Sequence, residues 1–116
     1  MNAPSFELTV LRYINSFIHL DLRSLEQLFA PDVTLRDWDI QVSGKAEVLK
    51  ANQAIFAALS RIRVTMTALH VGKTSAVAEL EIDLSDLEDR RRQFRVADVF
   101  EFDEQGLIRA IRAYKG

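Results

Sequence analysis

The chain reads as an α+β domain: helices packed on one face of a curved antiparallel sheet. Two observations predict this. Up to about Leu59 the apolar residues recur at helical spacing, interrupted by one short alternating stretch, and from Arg61 onward the period switches to two. Turn-forming groups at Gly72 to Ser75 and Asp103 to Gly106, with a charged tip at Ser85 to Arg92, then divide the second half into strands able to pair as neighbours. With 116 residues there is enough chain for one core, so residues 1–116 form a single domain.

Pro4 and Ser5 mark the first helix start, with Ser5 as N-cap. A stripe of Phe6, Val10, Tyr13, Phe17 and Leu20 faces inward, with Arg12, Asn15, Ser16 and His19 opposite. Tyr13 is carried into the core, where its hydroxyl needs a partner. Asp21 caps a short second helix through Phe29, ended by Ala30 and Pro31. A strand from Val33 to Ile40 puts Val33, Leu35, Asp37 and Asp39 on one face and Thr34, Arg36, Trp38 and Ile40 on the other. Ser43 and Gly44 open a third helix that buries Val48, Asn52, Ile55, Phe56 and Leu59. Strands follow at Ile62 to Val71, Ala76 to Leu84, Phe94 to Phe102 and Leu107 to Tyr114, with Gly106 at a positive-φ turn position.

The most informative residue is Asp98. Alternation places it with Phe94, Val96, Phe100 and Phe102 on the buried face of its strand. An ionised carboxylate there would cost several kcal/mol, about 2–7 for even a neutral polar group left unbonded, so a raised pKa and a neutral, proton-donating acid is the cheaper state. Such a group is a functional-site candidate. A structural aspartate hydrogen-bonded inside the core is the alternative.

Composition closes off several classes. Cysteine is absent, which removes disulfides and thiolate chemistry, and the two histidines, His19 and His70, are too few and too far apart for a histidine metal site. The formal charge of -2 leaves no nucleic-acid footprint. Arg90 to Arg92 follow Asp83, Asp86, Glu88 and Asp89, as in a solvated hairpin tip. The N-terminus has neither a signal peptide's basic region nor an uncharged apolar span, so no membrane association and a cytoplasmic location are expected.

Arg12-Tyr13, Asp21-Leu22, Leu28-Phe29-Ala30, Asp32-Val33-Thr34, Asp37, Ser43-Gly44, Ala97-Asp98-Val99-Phe100 and Gly106 together resemble the nuclear-transport-factor-2-like superfamily, whose ketosteroid isomerases and SnoaL-like polyketide cyclases are the nearest relatives. The resemblance covers essentially the whole chain and implies a cone: three N-terminal helices on a strongly curved antiparallel sheet. It also implies roles. Tyr13, Asp37 and Asp98 fall where the isomerases keep their oxyanion tyrosine, general base and protonated oxyanion aspartate, a cofactor-independent mechanism in which a carboxylate removes a proton α to a carbonyl. Asp39 competes with Asp37 for the base role. Phe17, Asn52, Phe56 and Phe100, from the same inward faces, are the candidate substrate-binding residues. No cofactor and no metal are implied, and the ligand is a small apolar carbonyl compound.

Two departures from the isomerase pattern stand out: Trp38 follows Asp37 where proline is usual, and Tyr13 and Tyr114 are the only tyrosines. Asn52 stands roughly where a supporting tyrosine would be. Epoxide hydrolases of this fold use an Arg-x-Asp pair on a middle strand, which neither Ile62 to Val71 nor Ala76 to Leu84 contains. A SnoaL-like cyclase needs little beyond one well-placed acid, and a non-catalytic ligand- or protein-binding module would use the same cone. Trp38, Ile40 and Val77, expected on the open sheet face, suggest a homodimer.

Overall fold

The structure, a computed structural model, describes residues 5–116, so Pro4 lies outside the described residues. Helix α1 spans Phe6–Ile18, α2 Leu22–Glu26 and α3 Lys45–Ala57; the strands are β1 Phe29–Arg36, β2 Gln41–Ser43, β3 Leu59–Val71, β4 Ser75–Asp86, β5 Arg91–Phe102 and β6 Ile108–Lys115. One six-stranded sheet runs in the order β2-β1-β6-β5-β4-β3. The helices cover one face of it, giving the expected α+β cone.

Local chemistry sets the helix starts. The Ser5 hydroxyl accepts from the Leu8 N–H at 3.2 Å, and the Asp21 carboxylate accepts from the Ser24 N–H and hydroxyl at 3.1 and 2.6 Å. Of the stripe residues, Val10 and Tyr13 are buried and Phe6, Phe17 and Leu20 half-buried, and Ile14 of α1, outside the stripe, is buried with them. Ser16, expected on the solvent side, is buried too. Its hydroxyl donates to the Arg12 carbonyl at 2.8 Å, and its own carbonyl takes the Asp21 N–H at 2.8 Å as the chain turns back over it into α2.

Several boundaries differ from the sequence expectation, with the strands β3, β4 and β5 each longer by three residues, and those around α2 and β1 have a clear physical cause. Helix α2 ends at Glu26 rather than Phe29 because the Leu28 carbonyl and Phe29 are claimed by β6: the Ile108 N–H donates to Leu28 at 2.8 Å, and Phe29 pairs with Ile108. Pro31 is tolerated in β1 because the register breaks between Phe29 and Thr34, where no ladder donor is needed. Strand β1 then ends at Arg36, four residues early. Asp37 ends it by accepting the N–H groups of Asp39 and Ile40 on one oxygen, both at 2.7 Å, while its own N–H donates to the Ile40 carbonyl at 2.9 Å. Trp38 and Ile40 therefore belong to a turn and not to an outward strand face.

The sheet is antiparallel except for β1 beside β6, which is parallel. Strand β6 has β5 on one side and a free edge on the other, and β1 fills that edge. The hairpin tip between β4 and β5 is closed by its own charges: Arg91 forks onto Asp83 at 3.0 and 2.8 Å, and Arg90 pairs with Asp86 at 2.8 Å. Gly106 sits at φ 82° in the β5–β6 turn, as expected, donating to the Asp103 carbonyl at 3.0 Å. Between helices and sheet the core is rich in aromatic rings, with Phe6 stacked on Phe102 at 4.1 Å and Tyr13 edge-on to Phe100 at 5.0 Å.

Candidate functional site

The inward face of β5 carries Phe94, Val96, Asp98, Phe100 and Phe102 as alternation predicts, and Asp98 is only 8% exposed. Its cross-strand neighbours are Ala78 on β4 and Ala113 on β6. Directly paired residues share a face, so two methyl groups flank the carboxyl where larger side chains would have filled the space. Asp98 and its neighbour Ala113 border a cavity of about 260 Å³.

Helix α1 contributes Tyr13, Ile14 and Phe17 to this cavity, α3 contributes Asn52 and Ile55, and the β1–β2 turn contributes Asp37 through Ile40. The remaining walls are mostly aliphatic side chains of β3, β4 and β5, among them Ile62, Val64, Leu80, Ile82 and Val96. The polar side chains are those of three aspartates, one tyrosine, one asparagine and Trp38 with its indole N–H; among the described residues no lysine, arginine or histidine lines it. Trp38, at the mouth, stands edge-on to Phe94 at 6.0 Å, and the Lys115 ammonium lies 5.5 and 5.0 Å from the centres of the two rings.

Electrostatics follow from this lining. Burial, and after it the negative charge of Asp37, push the Asp98 carboxyl up to about 7. Burial, then Asp98 and Asp37, hold the Tyr13 phenol well above its ordinary value, so it stays a neutral donor. The only hydrogen bond of the Asn52 side chain within the protein is Nδ2 to the Val48 carbonyl at 3.0 Å. The Asp37 carboxylate is fixed by the two backbone donors of its turn, both on Oδ1, which leaves Oδ2 without a protein donor.

Of the residues singled out in the sequence, Tyr13, Asp37, Asp98, Phe17 and Asn52 meet at one cavity. Asp39 lines it as well. Phe56 and Phe100 do not: Phe100 is fully buried behind Tyr13, and Phe56 packs edge-on to Phe17 at 5.0 Å. They support the lining rings of Tyr13 and Phe17 from one layer deeper. His70 is exposed and bonded to Glu79 at 2.8 Å, away from the cavity. Trp38 and Ile40 were placed on the wrong side by the strand assignment. The aliphatic lining of β3 and β4 was visible as alternation but carried no sign of facing a void. Among the described residues no group of three or more His, Asp or Glu side chains is arranged to hold a metal ion, and no helix is long and apolar enough to cross a membrane.

The SnoaL-like domain matches residues 10–111, which span every wall of the cavity except Ala113. The chain belongs to that SnoaL-like family. No curated protein matches it in sequence. Solved structures similar in fold to this SnoaL-like chain include an NTF2-like protein of unknown function from Burkholderia pseudomallei, with a TM-score of 0.85 and 16% identity over 96% of this chain and 90% of that one. A LEH-like epoxide hydrolase from M. tuberculosis has a TM-score of 0.83 and 18% identity, covering 96% of this chain and 82% of that one. A protein with a ketosteroid isomerase-like fold from Catenulispora acidiphila, in complex with trimethylamine, has a TM-score of 0.82 and 16% identity over 97% and 86% of the two chains. At these identities the likeness is one of fold.

Proposed function

We propose that the cavity moves a proton within a small, largely apolar carbonyl compound, in the manner of the ketosteroid isomerases. One observation carries this reading: the Tyr13 hydroxyl and a neutral-prone Asp98 carboxyl border the same mostly apolar cavity, near enough for the Asp98 charge to act on the phenol, and neither has a hydrogen-bond partner among the described residues. Two neutral donors in a dry site are suited to an oxygen that gains negative charge during reaction. Asp37 is the base. Its Oδ2 takes the α-proton, the electron pair moves onto the carbonyl oxygen held by Tyr13 and Asp98, and return of the proton to the γ-carbon completes the isomerisation. A cavity of about 260 Å³ lies at the small end of ligand pockets, which fits a one- or two-ring compound better than a four-ring steroid. The absence of a cationic lining side chain disfavours a site built around an arginine.

A second reading rests on the position of the Asp98 pKa. A carboxyl near 7 can serve alone as acid and base, as an aldol-type cyclase of the SnoaL kind would need. A small cyclic β,γ-unsaturated ketone, followed by the ultraviolet absorbance of its conjugated product, separates the two. Under the isomerase reading Asp37→Asn lowers kcat by about 100-fold or more with KM nearly unchanged, because an amide keeps the contacts and cannot accept the proton. Loss confined to Asp98→Asn points to the single-acid reading. Binding without turnover in the wild type leaves a non-catalytic ligand-binding module.

Homodimerisation belongs to the same proposal, on altered grounds. Trp38 and Ile40 line the cavity, so the open face of β3–β5 offers charges of both signs, Arg63 and Arg95 beside Glu81 and Asp83. A face of that kind is self-complementary across a two-fold axis.

A further inference from the structure

Asn52 is 1% exposed and lies in the middle of α3, where asparagine is a poor helix former and leucine would pack. Its side chain is pinned from one end: Nδ2 donates to Val48, one turn back, which fixes which end of the amide is nitrogen and leaves Oδ1 turned away from that carbonyl. No protein donor reaches Oδ1. Among the described residues no fully buried side-chain oxygen or nitrogen lacks a partner, so the unbonded Oδ1 is open to the cavity, free to accept from what enters it. The amide borders the cavity from a different wall than Asp98: Asn52 comes from α3, and Asp98 from the sheet.

We infer that the compound bound here is bifunctional, with a hydroxyl donating to Asn52 Oδ1 while its carbonyl oxygen occupies the Tyr13 and Asp98 pole. This deepens the proton-transfer reading and rests on it. A neutral hydroxyl fits better than an ammonium at this pole, since Ile55, Ile14 and Phe17 surround the amide end of the cavity with apolar surface and a charge there would be desolvated. The substrate class is then a compact hydroxy ketone, and Asn52 a residue that selects it over the plain ketone.

Phenols mimic the enolate, so calorimetric titration with 2-naphthol and its dihydroxynaphthalene isomers tests this in the intact chain. The expected result is at least one dihydroxy isomer binding tenfold or more tightly than 2-naphthol to the wild type, with that advantage reduced to twofold or less in both Asn52→Leu and Asn52→Ala. Asn52→Leu should also melt at a temperature equal to or above wild type, which an amide kept only for structure would not allow. If no isomer gains over 2-naphthol, or the gain survives both substitutions, the inference is wrong while the carbonyl pole stands. If 2-naphthol affinity is insensitive to Asp98→Asn and Tyr13→Phe, the carbonyl pole itself is wrong, and the inference falls with it.

Discussion

Asp98 ties stability to pH in the opposite sense from most carboxylates. Its folded pKa, about 7, lies above the unfolded value of about 3.9, so the folded state holds the proton more tightly. Its contribution is fully present below the unfolded pKa and is lost as pH rises through 7; a difference of about three units corresponds to roughly 4 kcal/mol. Asp83 runs the other way. Its hydrogen bonds to Arg91 lower its pKa to about 2, so its contribution is present above the unfolded value and lost as pH falls toward 2. Asp98→Asn should therefore gain melting temperature over wild type at pH 8 while showing little difference at pH 4. Thermal denaturation at the two pH values checks this, and an equal offset at both would mean that Asp98 is not protonated in the fold. Under the proton-transfer reading proposed above, the acid donor is lost over the same interval, and the expected rate falls above about pH 7.

Among the elements, α3 depends on one backbone position. Gly44 adopts φ 90° and ψ 144° at its N-cap, donates to the Val33 carbonyl at 2.8 Å and accepts from the Val48 N–H at 2.9 Å. A Cβ there would meet nothing within 4 Å, so Gly44→Ala measures backbone strain alone, about 1–3 kcal/mol. A lowered urea midpoint with unchanged slope is the expected outcome. The existence of α1 is legible because periodicity and a side-chain cap agree, whereas α3 and the long strands are legible from periodicity alone, since Gly44 supplies no side-chain cap. The boundaries of α2 and β1 were not legible. Phe29 and Ala30 are acceptable in a helix or a strand, and only the distant Ile108 decides between them. At the site, the inward turn of Asp98 was readable from alternation, whereas Asp37 was placed at the cavity through a wrong reason: it lines the cavity from a turn made by its own carboxylate, a competition between side chain and ladder that spacing does not reveal. Register sets Ala113 beside Asp98 at the cavity wall, a pairing between distant segments that spacing along the chain does not reveal.

On the scale of the whole molecule, three strands of 12 and 13 residues make the long dimension of 48 Å, and their outer face carries no helix. A homodimer built on the mixed charges of that face should be salt-sensitive, because at 1 M salt the Debye length shrinks to about 3 Å. Light scattering is expected to give twice the 13.2 kDa chain mass in dilute buffer and to move toward the single-chain mass in 1 M sodium chloride. A single-chain mass in dilute buffer rejects the dimer; a dimer indifferent to salt places its interface on apolar residues elsewhere.

The parallel pairing of β1 with β6 brings Phe29 and Ile108 together across most of the chain's length. During synthesis the β3–β4–β5 meander can zip up from neighbouring segments, but β1 has no strand beside it on that side until β6 has been made. Until then Asp98 lacks its β6 neighbour Ala113, and that flank of the carboxyl is open. The strand that joins β1 to the meander is thus also the one that closes the flank of Asp98, so completing the sheet and completing the burial of that carboxyl are one event.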